Sequence, residues 1–177
     1  GRGRLLVKME GANPSGSLKD RRALYMVTHA IETGQLRKGM RVLDASSGNM
    51  ASALNFVSHR LGFATTFVLG NTLTDGKRRF MELYGAEMIH HDGNTWEANK
   101  KAAQVAAENP ERYWFADQFH NKANIAAHYH MTGPEILRDV PDVDVYVASL
   151  GSGASLCGAG GFLKKAKPDV KVVGVTA

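Results

Sequence analysis

The chain has 177 residues, of which 44% are hydrophobic and 22% charged, and these values are ordinary for a globular protein of one domain or slightly more. Its formal net charge of +5 comes from basic residues interleaved with acids, which argues against a nucleic-acid-binding surface. The apolar runs are too short to span a bilayer, no signal-peptide pattern opens the chain, and a single cysteine excludes an internal disulfide. We therefore expect a cytoplasmic protein with no membrane partner.

Strand patterns and helix patterns alternate along the whole chain. The predicted strands cover residues 4–10, 40–45, 64–69, 86–91, 112–116, 143–150 and 170–176. The predicted helices cover residues 18–34, 51–61, 76–85, 95–109 and 125–139, and a last helix runs from a glycine loop to residue 167. Short strands separated by helices indicate an α/β fold with parallel sheets and crossover helices. The chain stops on a strand with no helix after it, which suggests an incomplete fold.

Lys19 occupies an unusual position in the stretch "NPSGSLKDRRA". Ser17 is the predicted N-cap of the first helix and Asp20 its first-turn acid, whereas a lysine gains little there because the helix dipole favours anions. In a partly desolvated cleft the ammonium form is disfavoured, and a neutral amine is what an imine requires. An ordinary solvated lysine on a capped helix is the alternative interpretation.

Two further glycine turns follow predicted strands. "SSGNM" (residues 46–50) offers hydroxyls, an amide and backbone N–H groups at a helix N-terminus, which suit a carboxylate. "GSGAS" (residues 151–155) allows the backbone to close around a phosphate, with two serine hydroxyls as donors. It fits neither the P-loop nor the dinucleotide-binding pattern. Because ligands of open α/β sheets bind at the carboxyl ends of the strands, a lysine and two anion cradles there point to pyridoxal phosphate.

Four blocks of the sequence carry a resemblance to a known family: "KMEGANPSGSLKDRRA", "SSGN", "DQFHNKANIAAHYHMTGPEI" and "GSGASLCGAGGFLKK". In order and spacing they resemble the cysteine synthase and cystathionine β-synthase family of fold-type II pyridoxal-phosphate enzymes. The resemblance runs from about residue 6 to residue 175. It implies a three-layer, tryptophan synthase β-like fold and a homodimer.

The resemblance also implies a role for each residue of the three turns. Lys19 would form the imine with the cofactor and shuttle protons. The remaining cofactor contacts would come from Asn49 and from Gly151, Ser152, Gly153, Ala154 and Ser155. The substrate carboxylate would be bound by Ser46, Ser47, Asn49 and Gln118, with Met50 beside them. Met50 departs from the family, which normally has a small hydroxylic residue there, so we expect an altered pocket.

The resemblance implies two domains and a chain shorter than its relatives. Residues 9–126 would form a smaller N-terminal α/β domain with the lysine and the carboxylate loop. Residues 127–177 would begin a larger cofactor-binding domain with the phosphate loop. Typical relatives begin earlier and continue well beyond this point, and the missing C-terminal part supplies the group paired with the pyridine nitrogen.

The expected reaction is β-replacement on an activated serine, such as O-acetylserine, with sulfide or another nucleophile, to make cysteine or a related amino acid. Two alternatives stay open: a cystathionine β-synthase-like enzyme or a synthase of a non-protein amino acid, and a truncated, non-catalytic relative that acts as a binding partner. The histidine pairs at residues 90–91 and 128 with 130 lack the spacing of converging ligands, so no metal is expected. His120 follows "DQF" at the expected mouth of the site, where it would select substrates.

Overall fold

The structure is a computed structural model that describes residues 3–71 and 75–176. Its strands are β1 (Arg41–Asp44), β2 (Ala64–Leu69), β3 (Glu87–His90), β4 (Tyr113–Phe115), β5 (Val145–Ser149) and β6 (Lys171–Val175). Its α-helices are α1 (Lys19–Glu32), α2 (Asn49–Arg60), α3 (Asp75–Leu83), α4 (Thr95–Glu108), α5 (Lys122–Ala127), α6 (Gly133–Asp139) and α7 (Ala154–Ala166). None of the helices within these two ranges is long and apolar enough to cross a membrane.

The strands form two parallel sheets. The first sheet has four strands in the order β3-β2-β1-β4, and the second pairs β5 with β6. Every pairing is parallel, as the alternation of strands and helices predicts. All strands of the first sheet lie before the predicted domain boundary at residues 126 and 127, and both strands of the second sheet lie after it. That boundary falls inside one continuous helical segment, Lys122–Asp139, and the division into two domains stays a prediction.

The four-stranded sheet is covered by helices on both faces. On one face Val42 and Phe67 belong to a buried cluster that includes Met26 of α1 and Leu54 of α2. On the other face Leu43 and Val68 pack in a second cluster. That second cluster includes residues of α4. Because side chains of a strand alternate between its two faces, neighbouring residues of one strand contribute to both clusters. The three-layer α/β prediction is confirmed.

The helix predicted over residues 125–139 has an internal irregularity. α5 continues into a π-helical turn, His128–Thr132, and then into α6. This turn packs against α7 so closely that a Cβ at Gly158 would lie 2.6 Å from the His128 Cβ. Glycine is therefore required at position 158 by contact between the two helices. The sequence pattern predicts a helix here and contains no signal for the π turn.

The strand predicted over residues 4–10 is wrong. Residues 3–9 have no regular structure, and a short 3-10 helix covers Glu10–Ala12. Leu5 is 91% exposed and Val7 is 72% exposed, so the apolar residues of this segment pack on nothing in the described part of the chain. A strand is stable only when a neighbouring strand pairs with its N–H and C=O groups, and alternation of residue types cannot reveal that neighbour.

Candidate active site

The helix that carries Lys19 begins close to its predicted start. α1 begins at Lys19, so its N-cap is Leu18, which provides no side-chain cap, and the N-cap predicted at Ser17 is one residue too early. Ser17 Oγ still accepts a hydrogen bond from the Lys19 N–H at 3.3 Å. Asp20 is the first-turn acid, and its Oδ2 accepts from the Ser15 N–H at 2.8 Å, which fixes the preceding loop. Burial and, after it, the charge of Arg22 lower the pKa of Lys19. Both effects favour the neutral amine.

Arg22 joins this helix to two other loops of the site. It lies one turn after Lys19 and is 4% exposed. Its Nη1 donates to Ser152 Oγ at 3.0 Å and to Asn124 Oδ1 at 3.4 Å, and its Nη2 donates to Gln118 Oε1 at 3.5 Å. The structure thus brings three of the sequence-predicted residues (Lys19, Gln118 and Ser152) around one guanidinium. Burial lowers the pKa of Arg22 to about 10, so the group stays charged at neutral pH.

The loop before α7 has the features expected of a phosphate cradle. Gly153, at φ +79° and ψ −12°, lies in the left-handed region that favours glycine. The N-terminus of α7 has no side-chain cap and no acidic residue in its first turn, so its backbone N–H groups are available to an anion. Ala154, the first residue of α7, is buried at 2% exposure. Gly151 and Ser152 are exposed.

The loop after β1 has similar features at the N-terminus of α2, which also lacks a side-chain cap and a first-turn acid. Ser46 is buried at 8% exposure, and its Oγ accepts from the Gly48 N–H at 3.4 Å, so this hydroxyl shapes the turn. Ser47 is half-buried and Asn49 is exposed. Because β1 is adjacent to β4 in the sheet, this loop and the loop that carries Gln118 leave the same edge.

Met50 lies away from the surface of this loop. It is 2% exposed and belongs to the core cluster of α1 and α2. Its side chain therefore fills the protein core, in contrast to the pocket position that the sequence analysis expects. The reason is helical geometry: Asn49 begins α2, and the next residue along the helix points to the inner face.

His120 lies on the loop between β4 and α5. Its ring is exposed, and Nδ1 lies 2.9 Å from Asp117 Oδ1. Asp117 itself has a φ of +45°, which is uncommon for a residue other than glycine and is often found at functional sites. The selecting role of His120 stays a prediction.

Two buried polar residues of the site have no role in the sequence analysis, where His128 enters only as a rejected metal ligand. Asp44 is fully buried at the end of β1, where the backbone N–H groups of Ala45 and Gln118 lie close enough to favour its charged form, yet neither of its oxygens accepts a hydrogen bond of normal geometry from the described residues. His128 is also fully buried; its Nδ1 lies 2.9 Å from Thr132 Oγ1, and its Nε2 has no partner. Burial, followed by the charges of Arg22 and Lys19, lowers the pKa of His128 to about 4, so the ring is neutral at neutral pH. A charged residue on a strand of apolar neighbours is the one sequence signal that identifies Asp44.

The stability of the protein should depend on the ionisation of Asp44. Burial raises the pKa of its carboxyl from 3.8 to about 7. Between these values the folded state binds more protons than the unfolded state, so stability is lost as the pH rises through this window. The Asp44→Asn variant lacks this loss. Urea unfolding at a series of pH values should show the variant gaining stability relative to the wild type up to about pH 7.

The exposed residue Asp169 provides the control, because Asp169→Asn makes the same amide replacement on the surface. A stability difference between Asp44→Asn and wild type that is constant from pH 4 to pH 8 would contradict a buried, protonated carboxyl.

The donors of the site fit pyridoxal phosphate. Two features suit its phosphate: the uncapped N-terminus of α7 behind Gly153, and the buried guanidinium of Arg22. Lys19, whose pKa is lowered, suits its aldehyde. Comparison with known proteins decides the family: the sequence profile described as "Pyridoxal-phosphate dependent enzyme" matches residues 1–177. The chain belongs to this family.

Several known proteins are similar to this chain over nearly its whole length. A cysteine synthase of Staphylococcus aureus is 36% identical over 173 residues, which are 96% of this chain and 55% of the relative. Among solved structures, the hydrogen sulfide-producing enzyme Fn1220 of Fusobacterium nucleatum has a TM-score of 0.88 and 33% identity, over 94% of this chain and 55% of that one.

Two further solved structures that are similar to this chain are named for other reactions. The O-acetylserine dependent cystathionine beta-synthase of Helicobacter pylori has a TM-score of 0.86 and 30% identity, over 93% of this chain and 55% of that one. An O-ureido-L-serine synthase has a TM-score of 0.88 and 33% identity, over 94% of this chain and 54% of that one. The chain thus spans about half of the length of these relatives.

These comparisons confirm the cysteine synthase-like resemblance and the fold class, and they place the chain in a family of enzymes whose cofactor is pyridoxal phosphate. The roles of the individual site residues stay predictions.

Proposed function

We propose that the full-length protein catalyses β-replacement on an activated serine such as O-acetylserine, with sulfide as the nucleophile, and so makes cysteine. The observation that supports this proposal most is the placement of Lys19, Gln118 and Ser152 around the buried Arg22. The guanidinium donates to the expected substrate loop and to the expected phosphate loop, and Lys19 lies one turn before it on the same helix. The names of similar proteins support the same reaction class, since one is a cysteine synthase.

Lys19 would hold the cofactor and move the protons. Burial, followed by the charge of Arg22, lowers its pKa, which favours the neutral amine that bonds an aldehyde. Once the substrate amine has displaced it, Nζ would take the proton from the substrate Cα. When bound, pyridoxal phosphate supplies an electron sink for this deprotonation. The leaving group would then depart from Cβ with its bonding electron pair, the nucleophile would add at the same carbon, and Nζ would return the proton to Cα.

The two loops at the sheet edge would orient the substrate. Ser47, Asn49 and the free N–H groups of α2 would donate to the substrate carboxylate, and Gln118 would donate from the neighbouring loop. Arg22 accounts for the placement of Gln118, because its Nη2 donates to the Gln118 Oε1 at 3.5 Å and leaves the amide NH₂ free to face a carboxylate. A carboxylate held in this way presents Cα to Lys19.

A second candidate reaction keeps the same site and changes the nucleophile or the leaving group. The similar structures include an O-acetylserine dependent cystathionine beta-synthase and an O-ureido-L-serine synthase. Both names describe amino acids made by changes at a serine-type Cβ. These two structures are 30% and 33% identical to the chain, against 36% for the cysteine synthase, so the choice of nucleophile has to be measured.

Product analysis of the full-length protein tests the proposal. The protein with bound pyridoxal phosphate is incubated with O-acetylserine and sulfide, homocysteine or hydroxyurea, and the products are separated by chromatography and weighed by mass spectrometry. We expect cysteine to form fastest. Faster formation of cystathionine or of O-ureidoserine would favour the second candidate. A protein that binds the cofactor and yields no β-substituted product would contradict both and favour a non-catalytic binding role.

A further inference from the structure

Arg22 is a buried cation without a counter-ion. The side chain is 4% exposed, and the three groups that accept from it, on Ser152, Asn124 and Gln118, are all neutral oxygens. Its Nε has no hydrogen-bond partner in the described part of the chain. Within residues 3–71 and 75–176 no acidic side chain forms an ion pair with the guanidinium, whereas the adjacent Arg21 pairs with both Glu10 and Glu135. A buried charge without a partner is strongly destabilising unless a ligand supplies the opposite charge.

The nearest carboxyl does not neutralise Arg22. Asp44 is close enough for its charge to favour the charged form of the guanidinium, yet neither of its oxygens accepts a hydrogen bond from Arg22, whose Nη groups donate to the three neutral oxygens instead. Its carboxyl is itself buried, which favours the protonated form. Lys19 and His128, which also feel the charge of Arg22, both have a lowered pKa and contribute no anion. The interior around Arg22 therefore has a surplus of positive charge.

The surplus charge lies at the start of the phosphate loop. The guanidinium donates to the hydroxyl of Ser152, which is two residues before the 13-residue helix α7. The first turn of this helix has neither a cap nor an acid, so its N–H groups and the guanidinium favour the same kind of ligand. A phosphate monoester carries up to two negative charges and three acceptor oxygens, and it can satisfy both.

We propose that Arg22 is a binding residue for the cofactor phosphate, which it reaches from α1 across Ser152, and that it supplies the formal charge that the neutral donors of the loop lack. The inference rests on the proposed function, because that function places the phosphate in residues 151–155. It assigns to Arg22 a role that Lys19, on the same helix, cannot take while its amine is bonded to the aldehyde. A guanidinium suits this role because its planar set of donors matches phosphate oxygens.

The test compares two ligands that differ only in the phosphate. Pyridoxal phosphate and pyridoxal are titrated by absorbance into the apo form of the full-length wild-type protein and of Arg22→Met. The variant should bind pyridoxal phosphate roughly 10- to 100-fold more weakly, the effect of one charge-assisted hydrogen bond, and should bind pyridoxal with unchanged affinity. Arg22→Lys keeps the charge without the planar donors and should recover part of the loss.

Arg37→Met is the matched control. Arg37 is exposed, pairs with Glu111 and lies before β1, at the opposite edge of the sheet, so the same change in net charge should leave both affinities unchanged. If Arg22→Met weakens both ligands equally, or neither, Arg22 only packs the interior and the inference is wrong. If the wild type binds pyridoxal phosphate no better than pyridoxal, the phosphate loop itself is wrongly assigned, and the proposed function fails with it.

Discussion

Replacing Lys19 with alanine should remove the covalent attachment of pyridoxal phosphate and lower the rate of cysteine formation by at least roughly 10²- to 10⁴-fold, the usual contribution of one positioned acid–base group. Two physical reasons support the expectation. Lys19 begins α1 one turn before Arg22, which donates to Ser152 of the proposed phosphate loop, and burial together with the charge of Arg22 lowers the pKa of the Lys19 amine. A neutral amine is needed both to bond the aldehyde and to accept the proton from Cα.

Borohydride reduction followed by peptide mapping checks the assignment without depending on the rate. In the wild type the pyridoxyl group should be found on the peptide that contains Lys19, and in Lys19→Ala no peptide should carry it. Lys122→Ala is the control, because Lys122 is an exposed lysine at the start of α5 and its loss should change neither the label nor the rate. A label on Lys8 or Lys122 in the wild type would show that Lys19 has another role.

The Gly153→Asp variant should lose pyridoxal phosphate almost completely, with an affinity at least roughly 100-fold lower, while the protein stays folded. An aspartate at this position places a negative charge in the loop that would hold the phosphate, and like charges a few ångströms apart repel by several kcal/mol in a partly buried site. The left-handed conformation at φ +79° adds a backbone cost of roughly 1–2 kcal/mol for any side chain. Equilibrium dialysis measures the affinity, and circular dichroism checks the fold.

Gly62→Asp separates these two effects. Gly62 has a φ of +81°, and a Cβ there meets no atom within 4 Å, so the substitution adds the same backbone strain and the same charge. It lies between α2 and β2, at the edge of the sheet opposite to the site. We expect this control to lose a similar amount of stability and to keep its affinity for the cofactor. An unchanged affinity in Gly153→Asp would show that the loop is only structural.

Apart from the strand predicted over residues 4–10, the sequence by itself determined the order of the elements, and it predicted the chemistry of the site. The alternation of β-type runs with helical runs predicted parallel sheets, because parallel strands need long crossovers and bury both faces. The turns around Lys19, Asn49 and Gly153 were predictable because glycine, serine and asparagine are typical of the start of a helix. These signals depend only on residues that are close together in the sequence. Local patterns of this kind are visible in one dimension.

Only the tertiary structure decided which of the local features meet and which residues face the core. The segment 4–10 has the pattern of a strand and forms none, because pairing depends on a neighbour elsewhere in the chain. Met50 has the sequence position of a site residue and lies in the core, because the direction of a helical side chain depends on how the helix packs. Arg22 appears in the sequence as one of two adjacent arginines. Its neighbour Arg21 is paired with two glutamates, whereas Arg22 is buried and donates to Ser152, 130 residues further along the chain. The charge of Arg22 is left without a counter-ion because of this burial and this long-range contact, and no local sequence pattern records either.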